Sequence, residues 1–154
     1  KKVGDKVSAM VAPQLIYPEH PLYSVDGVFN AILVKGNMVG DVMFYGQGAG
    51  KLATASAVVS DIMEASKNLE NNINIIWSAD KLELMPMDEV VSKFFVRVSD
   101  KVEDAAIEAE FGEVSYITAG IAGEKAFITK PVKESLYEDA CGKFDIISGI
   151  RVDF

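Results

Sequence analysis

Residues 93–112, KFFVRVSDKVEDAAIEAEFG, contain a strand pattern followed at once by a helix pattern, and they decide the fold of the last third of the chain. The run 93–99 alternates in the way that predicts a strand. The run 102–112 has apolar residues at helical spacing and ends at Gly112, a residue type that commonly terminates helices. The stretch therefore predicts a strand that leads into a helix.

The residues that follow extend this order to a complete unit. Residues 114–122 and 124–132 predict two strands around a tight turn at Gly123, residues 133–144 predict a second helix, and residues 145–154 predict a final strand. The side chains expected to face inward from the second helix are Leu136, Tyr137, Ala140 and Phe144. The resulting order, βαββαβ, is the ferredoxin-like arrangement.

The first part of the chain predicts a different structure. Residues 6–16 predict a strand interrupted by a proline, and residues 27–36 and 39–46 predict a hairpin with a turn at Asn37-Met38. Residues 53–66 predict a helix. One side of this helix carries Val58, Val59, Ile62, Met63 and Ser66, and Thr54 or Ser56 is a candidate cap. The fold class is therefore α+β: a partial mixed or antiparallel sheet with a helix, followed by the ferredoxin-like unit.

Residues 67–92 predict a connection between the two parts. The segment begins with a polar run, contains Pro86, and has no sustained helix or strand period. Its short apolar cluster is expected to pack on another part of the protein. That cluster consists of Ile73, Ile75, Ile76 and Trp77.

Composition and charge exclude several classes of function. The formal charge of −8 argues against a nucleic acid or an anionic membrane as partner. No apolar run approaches the ~18–20 residues that cross a bilayer. One cysteine, Cys141, cannot form an internal disulfide and suits a reducing cytoplasm, and one histidine, His20, makes no metal site. We read Cys141 as a small buried hydrophobe and His20 as a loop residue. Because the chain begins at Lys1 rather than at methionine, we expect a piece of a longer protein.

The glycine-rich run 46–51, GQGAGK, lies between a predicted strand and a predicted helix, as phosphate-binding loops do. The P-loop pattern fails because Tyr45 stands where its first glycine is required and Leu52 where Ser or Thr is required. The dinucleotide pattern is matched only in its GxGxxA form, from Gly48 to Ala53, and it follows an antiparallel hairpin instead of a parallel sheet. Two interpretations stay open: a glycine corner that only joins sheet to helix, and a ligand loop.

Residues 20–62 resemble homoserine dehydrogenase, the enzyme that reduces aspartate semialdehyde to homoserine. The resemblance rests on the turn His20-Pro21-Leu22, the strand sequence Asn30-Ala31-Ile32, the GxGAG segment 46–50, and the helix sequence Thr54–Val58 with Asp61. Residues 85–100 resemble the lead into the C-terminal ACT domain of that family, and an ACT domain has the βαββαβ order derived above.

The resemblance implies that this chain is the C-terminal part of the enzyme. Residues 1–66 would be the end of the substrate and dimerisation domain, residues 67–92 a linker, and residues 93–154 an ACT-like regulatory domain. The Rossmann domain and the catalytic lysine would lie upstream, so the resemblance places no catalytic residue in this chain. The full enzyme would use NAD or NADP to interconvert L-aspartate 4-semialdehyde and L-homoserine in threonine and methionine biosynthesis. The fragment alone is expected to be inactive and to bind no cofactor tightly.

By position in the family pattern, Gly48, Ala49 and Gly50 would lie near the cofactor. For Lys51 we favour a solvated surface lysine over a charge near a phosphate. The resemblance also implies a cytoplasmic homo-oligomer, a dimer or a tetramer.

The ACT resemblance implies an amino-acid effector such as threonine, with Ser99, Asp100 and Gly120 as its candidate contacts. Family members commonly carry Asp-x-Pro-Gly after the first strand, whereas residues 100–103 here read DKVE. A purely structural ACT domain is therefore an alternative. Two other functions stay open: a stand-alone amino-acid-binding module, and a dimerisation piece without a ligand.

Overall fold

The computed structural model describes residues 1–71, 76–118 and 120–153. The strands are β1 (Lys2–Val3), β2 (Lys6–Val7), β3 (Gln14–Leu15), β4 (Phe29–Gly36), β5 (Gly40–Gln47), β6 (Glu83–Leu84), β7 (Val91–Ser99), β8 (Val114–Ile117), β9 (Glu124–Thr129), β10 (Val132–Lys133) and β11 (Ile146–Val152). The helices are α1 (Lys51–Lys67), α2 (Asp104–Phe111) and α3 (Glu134–Cys141), with one 3-10 turn at Met87–Glu89. Helices combined with mixed and antiparallel sheets agree with the predicted class.

The chain divides into two compact units. The first unit contains Lys1–Ile16 and Asp80–Phe154, and the second contains Tyr17–Ala79. The division of the parent enzyme into domains at residues 66 and 93 stays a prediction.

The first unit is built on a sheet with the strand order β3-β11-β7-β9-β8. Strand β7 is antiparallel to both β11 and β9, and β8 is antiparallel to β9. The short strand β3 adds to the outer edge of β11 in parallel. The order of the longer elements along the chain is strand, helix, strand, strand, helix, strand, with two-residue β10 before α3.

The core of the first unit lies between this sheet and helices α2 and α3. Alternation along β7 buries Phe94, Val96 and Val98, because successive side chains point to opposite faces of a sheet. The core cluster consists of Phe94, Val96, Val98, Ile107, Phe111, Phe127 and Ala140. The strand predicted from the alternation of residues 93–99 is therefore confirmed.

An aromatic stack and an ion pair hold α3 against the sheet. The rings of Phe94 and Tyr137 stack with centroids 3.5 Å apart, and burial raises the pKa of the Tyr137 hydroxyl above its ordinary value. Glu134, which is 3% exposed, accepts two hydrogen bonds of 2.7 Å from the Arg151 guanidinium. A carboxylate so deeply buried is costly unless it is paired, and the paired donors of Arg151 offset that cost.

The second unit contains the predicted hairpin. Strands β4 and β5 are antiparallel and pair continuously from Phe29 with Gln47 to Gly36 with Gly40. Gly40 has φ +74°, a conformation that favours glycine. Helix α1 follows at Lys51, two residues earlier than predicted.

Helix α1 buries none of its residues against the described part of the chain. Val58, Val59, Ile62 and Met63, the apolar side predicted to line the helix, are between 52% and 62% exposed. Neither Thr54 nor Ser56 caps the helix; its N-cap is Gly50, which offers no side chain. The prediction of a side-chain cap is therefore wrong.

Other predictions about packing were wrong as well. Residues 6–16 do not form one strand: β2 pairs with β1 and β6, whereas β3 pairs with β11. Pro13 lies between them and lacks the N–H that a continuous ladder would need.

Ile76 and Trp77 were expected to pack, yet they are 92% and 85% exposed, while Ile73 and Ile75 lie outside the described residues. Leu136 is 56% exposed instead of facing inward. In the described ranges, no helix is long and apolar enough to cross a bilayer.

Replacing Gly149 with alanine should destabilise the first unit. An added Cβ would overlap the Tyr137 hydroxyl, and the ring cannot swing away freely because it is stacked on Phe94. We expect the free energy of unfolding, measured with urea, to fall by about 1–3 kcal/mol. In the Tyr137→Phe background, Gly149→Ala should lower the free energy of unfolding much less. The hydroxyl is then absent, and the ring carbon Cζ is 3.4 Å from the added Cβ. An equal loss in both backgrounds would contradict this.

Candidate functional site

The strongest candidate site is the glycine corner, residues 46–51, where the chain passes from β5 into α1. Strand β5 ends at Gln47 and α1 begins at Lys51, so three residues make the turn. Gly50 has φ +119° and ψ +149°, a backbone conformation that essentially only glycine adopts. The turn therefore requires glycine at position 50.

Position 48 requires glycine for a different reason. It has no left-handed φ, but a Cβ built on it would lie 2.8 Å from Nδ2 and 3.2 Å from Cγ of Asn30. Asn30 lies on β4 directly opposite Gly46. The side chain of Asn30 therefore occupies the space where a side chain at position 48 would have to go.

A cavity of about 270 Å³ opens beside the glycine corner. It is lined by Asn30, Ala31, Ile32, Phe44, Tyr45, Gly46, Gln47 and Gly48. The Tyr45 ring also stacks on Phe29 with centroids 4.9 Å apart. Most of the lining is apolar or glycine backbone, with two carboxamides as polar groups. Sites for drug-sized ligands measure about 300–1,000 Å³, so this cavity suits one ring system of a ligand that continues elsewhere.

The N-terminus of α1 follows this corner in the chain and, in the part that the structure describes, has no side-chain cap. Among the described residues, no side chain caps the helix at Gly50, and no acidic residue stands in the first turn. The first amides of a helix carry a partial positive charge and favour anionic or polar groups. The geometry therefore suits a ligand with a polar or anionic part next to an apolar ring.

The candidate effector residues lie around a second turn, in the first unit. Ser99 ends β7 and pairs with Glu124, and the Asp100 amide donates a 3.0 Å hydrogen bond to the carbonyl oxygen of Gly123. This hydrogen bond joins Asp100 to Gly123, whereas the candidate Gly120 lies in a bend three residues earlier. The Lys101 amide donates to Ser99 Oγ at 3.4 Å and the Val102 amide to the Ser99 carbonyl at 3.1 Å. The backbone donors of this turn therefore already have acceptors within the chain.

Acidic groups also surround the start of α2. Asp104 is its first residue, Glu103 is its N-cap, and the ammonium of Lys125 binds both the Asp104 carboxylate and the Val102 carbonyl. The pKa of Tyr116 is raised by burial and by the carboxylates of Asp104 and Glu108. A carboxylate ligand would meet negative charge here, in contrast to the N-terminus of α1.

The lone histidine and cysteine are part of the packing. His20 lies in a bend, as predicted for a loop residue, but it is only 7% exposed and its Nδ1 accepts a 3.2 Å hydrogen bond from the Leu22 amide. Cys141 is half-buried at the end of α3 beside the core, and burial raises the pKa of its thiol. Over the ranges described, no cluster of side chains could hold a metal ion.

Asn30 is the residue that sequence reasoning did not assign to the site. It was noted only as part of the strand sequence Asn30-Ala31-Ile32. The available signal was the hairpin register, because a turn centred at residue 38 brings Asn30 opposite Gly46. Its contact with Gly48 depends on how the chain turns after β5.

The family model and the relatives described below all carry the name homoserine dehydrogenase. The family model for homoserine dehydrogenase matches residues 1–63. Homoserine dehydrogenase of Neisseria gonorrhoeae is 30% identical over 161 residues, which cover 99% of this chain and 35% of that enzyme. Homoserine dehydrogenase of S. aureus, in its crystal structure at pH 7.0, is 30% identical with a TM-score of 0.65, over 92% of this chain and 37% of that one.

A homoserine dehydrogenase structure from Thiobacillus denitrificans matches 98% of this chain and 40% of that chain, with a TM-score of 0.74 at 24% identity, which shows a shared fold. These relatives are dehydrogenases, a class of oxidoreductases. The chain is similar to homoserine dehydrogenases, as predicted, and spans 35% of the length of the Neisseria relative.

Replacing Gly50 with alanine should loosen the start of α1. An L-residue with φ +119° is strained by about 1–3 kcal/mol. The Thr54 amide, which donates to the Gly50 carbonyl at 3.0 Å, should lose roughly tenfold or more of its protection from hydrogen exchange. Gly46→Ala is the control, because Gly46 has no left-handed φ and no described atom lies within 4 Å of its added Cβ. Equal effects of the two substitutions would contradict this role of Gly50.

Proposed function

We propose that this chain is the C-terminal part of a homoserine dehydrogenase that interconverts L-aspartate 4-semialdehyde and L-homoserine with NAD or NADP in the cytoplasm. The parent enzyme would serve threonine and methionine biosynthesis. The observation that carries the proposal is the glycine corner, with an uncapped helix N-terminus and an apolar cavity beside it. These residues fit one end of a nicotinamide dinucleotide but not the whole of it, since the cavity is about 270 Å³.

In this proposal the chain binds and shields, and the cofactor supplies the hydride chemistry. Gly48, Ala49 and Gly50 bring backbone close to the ligand because they carry little or no side chain. The first amides of α1 favour its polar or anionic part. Ile32 and Phe44 form an apolar wall that excludes water from the reacting ring. The catalytic lysine and the Rossmann domain lie in the upstream part of the parent enzyme.

We also propose that residues 93–154 are an ACT-like domain whose role is structural. The strand order β11-β7-β9-β8, with two helices on one face, supports the ferredoxin-like assignment. The internal hydrogen bonds at Asp100, Lys101 and Val102 leave few amides for an effector at Ser99, Asp100 and Gly120. Strand β8 lies at an edge of the sheet and exposes Tyr116 and Ile117, which supports a homo-oligomer, a dimer or a tetramer, formed through this domain.

The function is tested by comparing the full-length parent enzyme with this chain. The full-length enzyme should oxidise NADPH or NADH when L-aspartate 4-semialdehyde is added, as followed by absorbance. The 154-residue chain should show no turnover at equal concentration. Turnover by the chain would contradict an upstream catalytic lysine, and an inactive but folded full-length enzyme would contradict the proposed reaction.

The structural role of the ACT-like domain predicts that threonine does not bind to it. Titration calorimetry of the chain with L-threonine should give no saturable heat up to millimolar concentrations, and neither should L-methionine. Saturable binding that Asp100→Ala weakens would overturn the structural role. That result would instead favour an amino-acid-binding module, the alternative left open by the sequence.

A further inference from the structure

The side chain of Asn30 lies beside the glycine corner at Gly48. Three of its atoms, Nδ2, Cγ and Cβ, lie 2.8, 3.2 and 3.3 Å from the position of a Cβ built on Gly48. An added Cβ would overlap the Asn30 side chain, so glycine is the residue that fits at position 48 without a movement of Asn30. The side chain of Asn30, from the neighbouring strand, therefore lies next to the backbone at Gly48.

The two glycines of the corner are thus required for separate reasons. At Gly50 the backbone conformation excludes other residues, since φ is +119° while no described atom lies within 4 Å of an added Cβ. At Gly48 the backbone is unstrained and the neighbour Asn30 excludes them. Only the requirement at Gly48 should depend on the residue at position 30.

Asn30 contributes little to the packing of the hairpin. It is exposed, and it shares a face of the sheet with Ile32 and Phe44, because side chains two residues apart on a strand point the same way. The backbone pairing of Asn30 with Gly46 does not use its side chain. Removal of the carboxamide should therefore leave the hairpin intact and change only the corner and the cavity.

We propose that Asn30 is a positioning residue for the cofactor: it holds Gly48 at the distance from β4 at which the backbone of the glycine corner meets the nicotinamide end of the dinucleotide. This inference rests on the proposed function, because it assumes that the corner is a wall of the cofactor site. The carboxamide acts through Gly48 and also lines the cavity beside it.

The test uses the full-length parent enzyme and measures NADPH binding by titration calorimetry, together with steady-state kinetics. Asn30→Ala should raise the Kd for NADPH roughly tenfold or more, since small misplacements in a site have effects of this size. The KM for L-aspartate 4-semialdehyde should change less than about twofold, because a positioning loss is confined to the cofactor side. Asn37→Ala, which removes the same side chain from the turn at the far end of the hairpin, is the matched control and should leave both values unchanged.

A double-mutant cycle distinguishes a positioning role of Asn30 from a general loss of structure. Gly48→Ala should weaken NADPH binding strongly in the parent enzyme but much less in the Asn30→Ala background, because the 2.8 and 3.2 Å contacts are then gone. Gly50→Ala should weaken binding by the same factor in both backgrounds, since its strain does not involve Asn30.

The outcomes distinguish the two proposals. A folded full-length enzyme that does not bind NADPH or NADH would overturn the proposed function. An enzyme that binds the cofactor and is weakened by Gly50→Ala, but is unaffected by Asn30→Ala, would overturn the role of Asn30 alone. Equal effects of Gly48→Ala in both backgrounds would also overturn it.

Discussion

The backbone conformation of Gly50 is the constraint on which the candidate site depends. With φ +119°, the chain leaves β5 and enters α1 within three residues, so the helix N-terminus comes directly after the hairpin. A side chain at position 50 would strain this backbone conformation. Gly48, two residues earlier in the same turn, lies beside Asn30 for a separate reason, because a side chain there would overlap the Asn30 side chain.

The two units differ in how they are stabilised. The first has its own core, in which Val96, Val98 and Phe127 are fully buried. In the second, α1 buries no residue in the described part of the chain, and apolar side chains such as Val58 and Ile62 are more than half exposed. A helix with this composition generally gains its stability by burying its apolar side. That contrast supports the proposal that this chain is only the C-terminal part of a longer enzyme.

Local sequence signals predicted the elements whose residues share one period. The alternation of residues 93–99 and the glycine at 112 predicted β7 and the end of α2, and the paired runs around Asn37 predicted the hairpin. The prediction of one strand over residues 6–16 was wrong because a run of apolar residues does not specify its pairing partners. Strands β2 and β3 pair with strands far away in the sequence. The prediction that Leu136 faces inward was wrong because helical spacing does not show which apolar residues the sheet covers.

The glycine corner was predictable only in part. Its composition and position between strand and helix were visible, and counting excluded the P-loop and dinucleotide patterns. The reason for each glycine was not visible, because φ at Gly50 and the contact of Gly48 with Asn30 are properties of the folded chain. The bidentate pair of Glu134 with Arg151 was missed likewise, since its partners are 17 residues apart and meet only when α3 packs on β11.

The most direct test of the central claim is hydrogen–deuterium exchange of the full-length parent enzyme with and without NADPH. If the glycine corner is a wall of the cofactor site, peptides that cover residues 46–56 should exchange more slowly when NADPH is bound. Peptides from β7 and α2 should be unaffected. Unchanged exchange in residues 46–56 under saturating NADPH would contradict the account.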